Sequence, residues 1–134
     1  MPGEEQFNVN LPIYLQIMEQ IRRRIVTGEW RAGERVPSVR ELAAVFGVNP
    51  NTMQRALSEL EREELLYSER TAGRFITADT ARIDALRARM AKDTCTRFLH
   101  EMGQLGYARN EVLSMLAEPP GDGSERQEMH AASD

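Results

Sequence analysis

A tight turn between two short amphipathic segments, at Gly47-Val48-Asn49, constrains the fold of this chain more than any other feature. Before the turn, Pro37-Ser38 opens a helix, because Ser38 can cap its first turn and Glu41 lies three residues on, where it completes a capping box. After the turn, Asn49 can cap a second helix, and Pro50 suits its first position. Apolar residues recur at helical spacing at Leu42, Ala43 and Phe46, and then at Met53, Ala56, Leu57 and Leu60. The spacing predicts a helix-turn-helix.

The flanking segments supply the rest of a small domain. An earlier helix begins at Pro12 and stops at Gly28, with isoleucines every four residues from Ile13 to Ile25. Two short β runs follow the turn motif, at residues 65–68 and 74–77, around a turn that contains Gly73. A hairpin in this position is a wing. We therefore predict a mostly α (α+β) winged helix-turn-helix over residues 7–78, with a possible extra strand at Phe7 and Val9.

Composition excludes several classes of protein. The single Cys95 rules out an internal disulfide, and no Cys/His cluster has zinc-ligand spacing, so we expect no metal site and no cofactor. No arrangement of nucleophile and base indicates an enzyme. The first residues lack the apolar region of a secretion signal and no apolar run is long enough to cross a membrane, so we expect a cytoplasmic protein without a signal peptide. The net charge of −4 argues mildly against nucleic acid, so DNA binding would depend on local charge.

The residues after the turn carry such a local pattern. A helix that enters a DNA major groove leads with its N-terminus, whose free N–H groups and partial positive charge suit phosphate. Short polar side chains there, Asn51 and Thr52, can reach bases or backbone oxygens, with Gln54 and Arg55 as longer readers behind them. An ordinary capped surface helix would explain Asn49 equally well. A winged helix used only for protein contacts is the alternative function, and the low net charge is its support.

The same stretch strongly resembles the DNA-binding domain of GntR-family transcription regulators. The most specific parts are Pro37-Ser38-Val39-Arg40-Glu41-Leu42-Ala43 and Gly47-Val48-Asn49-Pro50-Asn51-Thr52, within a match that covers residues 11 to about 77. The Asn-Pro-Asn-Thr version and the short C-terminal part resemble the YtrA subfamily. The resemblance implies a DNA-binding regulator in which Arg40, Asn51 and Thr52 contact operator DNA and the wing tip, residues 70–74, reaches toward a minor groove. The DNA-binding residues expected from pattern and resemblance together are Arg35, Ser38, Arg40, Asn49, Asn51, Thr52, Gln54, Arg55, Arg70, Gly73 and Arg74.

Three positions depart from the family pattern. Glu64 stands where the family usually has glycine, so either Glu64 adopts a left-handed conformation or the third helix ends differently. The wing has Thr71-Ala72-Gly73-Arg74-Phe75 in place of a glycine pair with threonine before phenylalanine. Glu69 puts a carboxylate near the expected phosphates. The wing assignments are therefore weaker than those on the third helix.

The C-terminal part predicts a helical pair. One apolar stripe runs along a helix of roughly 24 residues from Ala81, which Gly103 and Gly106 would end, and a short helix follows. A single short helix cannot cover this stripe, and in the YtrA-like group the pair is a dimerisation unit. We therefore expect residues 79–117 to form a homodimer and residues 118–134 to be a disordered tail. A small-molecule effector would need a site between helices or between copies, and the sequence names no ligand. The residues expected at the dimer interface are Ile83, Leu86, Met90, Phe98, Met102, Leu105, Leu113 and Leu116.

Overall fold

The computed structural model describes residues 10–119. Within this range five helices accompany one two-stranded antiparallel hairpin, which confirms the mostly α fold with a wing. The predicted strand at Phe7 and Val9, and residues 120–134 of the predicted tail, lie outside the described residues. The described residues divide into two compact units, with the boundary between Arg89 and Met90. The elements are α1 Ile13–Val26, α2 Val39–Phe46, α3 Pro50–Arg62, β1 Leu66–Glu69, β2 Gly73–Ile76, α4 Thr80–Gln104 and α5 Arg109–Ala117.

The core of the first unit lies where α1 and α2 pack on α3. The predicted inward faces are confirmed, because Ile17 and Ile21 of α1 and all four apolar positions of α3 are fully buried. Ile13 is an exception: it starts the predicted stripe but is 38% exposed, since it is the first residue of α1 and has no preceding turn to shield it. Each fully buried Ile or Leu contributes roughly 1.5–3 kcal/mol relative to its exposed state. Burial of these apolar faces therefore stabilises the packing of α1 and α2 on α3.

The ends of α2 and α3 follow the predicted chemistry. Gly47 ends α2 in the left-handed conformation, with φ 71°, where glycine bears no Cβ penalty. After α3 the chain turns through Glu64 at φ 64°, the left-handed alternative considered for this position. The Glu64 carboxylate lies 3.3 Å from the guanidinium of Arg82. The helix thus ends as it would at a glycine, although the residue is a glutamate.

The wing is tied to the segment before α2. Its two strands pair from Leu66 opposite Ile76 to Glu69 opposite Gly73. The first strand begins one residue later than predicted, and the second begins one residue earlier. An antiparallel bridge joins Arg35 to Phe75, and the Val36 N–H donates to the Arg74 carbonyl at 2.8 Å. Residues 34–36 therefore extend the hairpin at the edge formed by β2.

The C-terminal helices leave most of their apolar residues in solvent. α4 continues through Gly103 and ends at Gln104, so the expectation that Gly103 ends it is wrong; an interior glycine lowers helix stability by about 1 kcal/mol without stopping the helix. Gly106, with φ 95°, makes the turn. Leu86 in the first unit and Val112 in α5 are buried. The predicted interface residues with the largest exposed fractions are Phe98 at 40%, Leu105 at 73%, Leu113 at 54% and Leu116 at 67%.

Candidate nucleic-acid interface

The N-terminus of α3 presents a capped and polar first turn. The Asn49 side chain accepts a hydrogen bond from the Asn51 N–H at 2.7 Å, and Pro50 fills the first helical position. Asn51 and Gln54 are exposed and Thr52 is half-buried. The Asn49 cap and Pro50 together fix the backbone conformation at which α3 begins. The first turn of a helix leaves further backbone N–H groups without an intrahelical partner, and an anion can accept hydrogen bonds from such groups.

The start of α2 is held by the predicted capping box. The Glu41 N–H donates to Ser38 Oγ at 3.1 Å, and the Ser38 N–H donates to Glu41 Oε1 at 2.9 Å. The hydrogen bond from the Ser38 backbone, then that from its side chain, and finally the charge of Arg35 hold the pKa of Glu41 below its usual range. Glu41 is therefore an ionised cap at neutral pH. Arg40, one residue before it, is exposed and forms no ion pair with any residue in the range 10–119.

Arg35 lies against the wing. The guanidinium Nε of Arg35 is 3.1 Å from the position that a Cβ on Gly73 would occupy. Gly73 itself has φ 108°, a conformation that side chains rarely adopt. The backbone geometry therefore favours glycine at this position, and a Cβ would also displace the guanidinium of Arg35 by a few tenths of an ångström. Five of the predicted residues line one cleft between the wing and the start of α2, and they are Arg35, Ser38, Arg70, Gly73 and Arg74.

The two predicted wing arginines have different surroundings. Arg74 is half-buried, and its Nε donates to Glu61 Oε1 of α3 at 2.7 Å. Ser68 of β1 donates to the same carboxylate oxygen at 3.0 Å. Arg70 is exposed at the wing tip and has no ion pair among the described residues. A DNA contact by Arg74 stays a prediction, and its charge is already matched by Glu61, whereas Arg70 has no such carboxylate partner among the described residues.

Ion pairing sorts the arginines of the winged domain into two groups. The acidic residues at the C-terminal end of α3, which contribute to the net negative charge, are each matched by an arginine: Glu59 by Arg62, Glu61 by Arg74, Glu63 by Arg22 and Glu64 by Arg82. Glu34 and Glu41 accept hydrogen bonds from backbone N–H groups. The arginines between residues 10 and 78 that form no direct ion pair with a described residue, hereafter the unpaired arginines, are Arg31, Arg35, Arg40, Arg55 and Arg70.

This sorting explains how an acidic chain can present a cationic surface. The unpaired arginines all belong to the segment from the end of α1 to the wing tip. The sequence predicted four of them as DNA-binding residues and left Arg31 out. A count of charges does not show which carboxylates already form an ion pair, and therefore which arginines have none. The prediction also missed Tyr14 of α1, over whose ring the guanidinium of Arg55 lies at 3.8 Å. The signal for Tyr14 was only its place beside the apolar stripe.

Other kinds of site find no support in the described part of the chain. Residues 10–119 contain no group of three or more His, Cys, Asp or Glu side chains that could hold a metal ion. No helix in this range has the length and apolar character needed to cross a bilayer. Cys95 is an exposed free thiol on α4.

Comparison with known proteins agrees with this geometry. Residues 13–76 match the family model of bacterial regulatory proteins, gntR family. The chain is 39% identical over 110 residues to the HTH-type transcriptional regulator YhcF of Bacillus subtilis (strain 168), a match that covers 82% of this chain and 91% of YhcF. It is 42% identical over 66 residues to the HTH-type transcriptional repressor YtrA of the same organism, covering 49% of this chain and 51% of YtrA.

A solved structure extends the likeness beyond the winged domain. The GntR family transcriptional regulator from Listeria monocytogenes has a TM-score of 0.75 and 41% sequence identity, over 82% of this chain and 96% of that chain. The resemblance inferred from the helix-turn-helix motif is thereby confirmed, including the similarity to YtrA, and these relatives are named as regulators, not as enzymes. The chain belongs to the GntR family of bacterial transcription regulators.

Proposed function

We propose that the chain is a homodimeric repressor that binds an inverted-repeat operator in double-stranded DNA. The observation that carries the proposal is the group of unpaired arginines around α2, the start of α3 and the wing. Cations without carboxylate partners suit phosphates, and neutralising phosphates supplies much of the affinity of DNA-binding proteins. The carboxylates at the C-terminal end of α3 are already matched by arginines. The net charge of −4 is therefore no obstacle to DNA binding.

In this proposal the first turn of α3 enters the major groove. Asn51 in this turn and Gln54 just behind it are exposed and have the size and polarity to reach base edges, while Thr52 and the free N–H groups suit a phosphate. Arg40 approaches the same groove from α2. The wing, with Arg70 at its tip, reaches the neighbouring backbone. Base contacts would then come from two helices and positioning contacts from both the wing and the helix terminus.

The exposed apolar residues of the C-terminal helices support dimerisation. Leu105 and Leu116 are 73% and 67% exposed in a single chain, which is unfavourable unless another surface covers them. A second copy related by a two-fold axis would cover the same patch on both chains. Replacing Leu116 with glutamate should convert the dimer to a monomer, whereas Ser114→Glu, a control in the same helix, should leave it dimeric. Light scattering that finds a monomeric wild type would refute the dimer.

A two-fold dimer should read two equal half-sites. Their centres should lie roughly 34–36 Å apart, about one helical turn, or a multiple of that. Selection of duplexes by the full-length protein from a random pool, followed by footprinting, gives both sequence and symmetry. No enrichment would favour the alternative of a protein-contact module, and a single asymmetric footprint would exclude the inverted repeat.

Repression is proposed because YtrA, with which the chain shares 42% identity over the winged domain, is named a repressor. The protein would act in the cytoplasm, where the DNA is. A reporter gene whose promoter overlaps the selected operator should be expressed less when the protein is present. A reporter that is instead switched on by the protein would assign activation.

A further inference from the structure

Arg55 is held differently from the other unpaired arginines. Its guanidinium carbon lies 3.8 Å from the centre of the Tyr14 ring. Arg55 is exposed on the second turn of α3, and Tyr14 is half-buried in the first turn of α1. The contact therefore joins the recognition helix to a helix outside the helix-turn-helix.

Stacking on a ring leaves a guanidinium able to bind an anion. The aromatic face attracts the cation through the ring quadrupole and covers one face of the planar group. The N–H donors lie in the plane of the guanidinium and remain free, in the fork geometry that suits carboxylate and phosphate. The described residues supply no carboxylate partner for Arg55, so these donors have no protein anion to bind.

A second stacked arginine provides a contrast. The guanidinium of Arg24 lies 4.8 Å from the centre of the Phe46 ring, but its Nε is also 3.2 Å from Glu29 Oε2. There the stack and the ion pair together hold α1 against α2 and the following turn, and the charge is already matched. At Arg55 the stack is present, and the described residues provide no anion. The difference indicates that the Tyr14–Arg55 pair is arranged for an anion from outside the chain.

We propose that Tyr14 is a positioning residue that holds the Arg55 guanidinium against a phosphate of the operator backbone. The inference rests on the proposed DNA binding and adds the phosphate contact together with the residue that orients it. Arg55 stands one turn behind Asn51, on the side of α3 that faces the start of α1. In the proposed docking that place is at the flank of the inserted helix, where the DNA backbone would pass, and not at its tip. Ordering the side chain beforehand reduces the entropy that Arg55 would otherwise lose on binding.

The test is a double-mutant cycle in the full-length protein, with a duplex that the wild type selects from a random pool. Arg55→Ala should reduce the slope of log K against log salt by about one and weaken all sequences alike. Tyr14→Leu should weaken binding roughly two- to tenfold, the cost of ordering one long side chain only on binding. Tyr14→Leu should have no further effect when Arg55 is already replaced by alanine. Tyr14→Phe, which keeps the ring, should bind like the wild type.

Arg24→Ala is the matched control, because it removes a stacked arginine whose charge Glu29 already neutralises, and its salt slope should not change. Equal effects of Tyr14→Leu with and without Arg55 would show that Tyr14 acts through packing alone and overturn the positioning role. A loss of preference at one base pair in Arg55→Ala, with the salt slope intact, would overturn the phosphate contact. A wild type that enriches no duplex would refute DNA binding itself, a failure distinct from either.

Discussion

Replacing Glu64 tests the conformation that ends α3. Glu64→Gly and Glu64→Ala both remove the ion pair with Arg82, so the two variants differ only in having a Cβ at φ 64°. A left-handed conformation costs a residue with a Cβ roughly 1–2 kcal/mol. Glycine loses more chain entropy on folding than alanine, by roughly 0.5–1 kcal/mol. The difference leaves the Glu64→Gly protein more stable than the Glu64→Ala protein by about 0.7 kcal/mol, near the centre of a range from roughly 0 to 1.5.

Urea denaturation followed by circular dichroism measures this difference. All variants should be compared at one protein concentration, because the stability of a dimer depends on concentration. Ala44→Gly is the control: Ala44 is exposed and helical in α2, where the same exchange should lower the free energy of unfolding by up to about 1 kcal/mol. The sign of the glycine–alanine difference should therefore reverse between positions 44 and 64. A glycine variant of Glu64 that is less stable than the alanine variant would refute the reasoning.

Three further substitutions separate base reading, phosphate binding and capping. Arg40→Ala should weaken operator binding roughly ten- to a hundredfold and reduce the preference at one base position per half-site, as expected for a bidentate guanine contact. Titrations on single-base variants of the operator measure this preference. An unchanged preference would show that Arg40 contacts a phosphate and not a base. Thr52→Ala should weaken all sequences about equally and, since Thr52 is uncharged, leave the salt slope unchanged. Glu41 has a lowered pKa in the folded chain, so its ionised form stabilises the fold above its unfolded pKa, and that contribution is lost as pH falls through the folded pKa. Glu41→Gln should remove this part of the acid sensitivity in denaturation experiments at a series of pH values.

The helices could be read from the sequence because their evidence is local. Burial of Met53 and Leu57 follows from 3.6-residue periodicity, and the Ser38 cap follows from side-chain chemistry within one turn. The wing strands were each displaced by one residue, since a register depends on hydrogen bonds to a partner strand. Gly103 was wrong as a helix end because glycine inside a helix is unfavourable without being forbidden.

The candidate site was less predictable than the fold. The sequence does not distinguish Arg40 from Arg74, because both carry one positive charge. In the structure Glu61 of α3 forms an ion pair with Arg74 of β2, and this pair joins two different elements. Arg55 could be suspected as a reader from its place in α3, whereas its contact with Tyr14 spans 41 positions of the chain. Such pairings depend on how helices pack against one another, and no short motif records them. The assignment of individual residues to DNA stays a prediction.

The bridge between Arg35 and Phe75 couples the wing to the helix-turn-helix. The Ile76 N–H donates to the Glu34 carbonyl at 2.8 Å, and the Val36 N–H donates to the Arg74 carbonyl at the same distance. Lifting the wing would break both bonds and free the segment that leads into α2. The amides of Val36 and Ile76 should therefore exchange their hydrogens with solvent at similar rates, through one shared opening event. In evolution, an insertion or deletion in the wing would also displace the segment that leads into α2. The hairpin is therefore poorly suited to change in length independently of the helices.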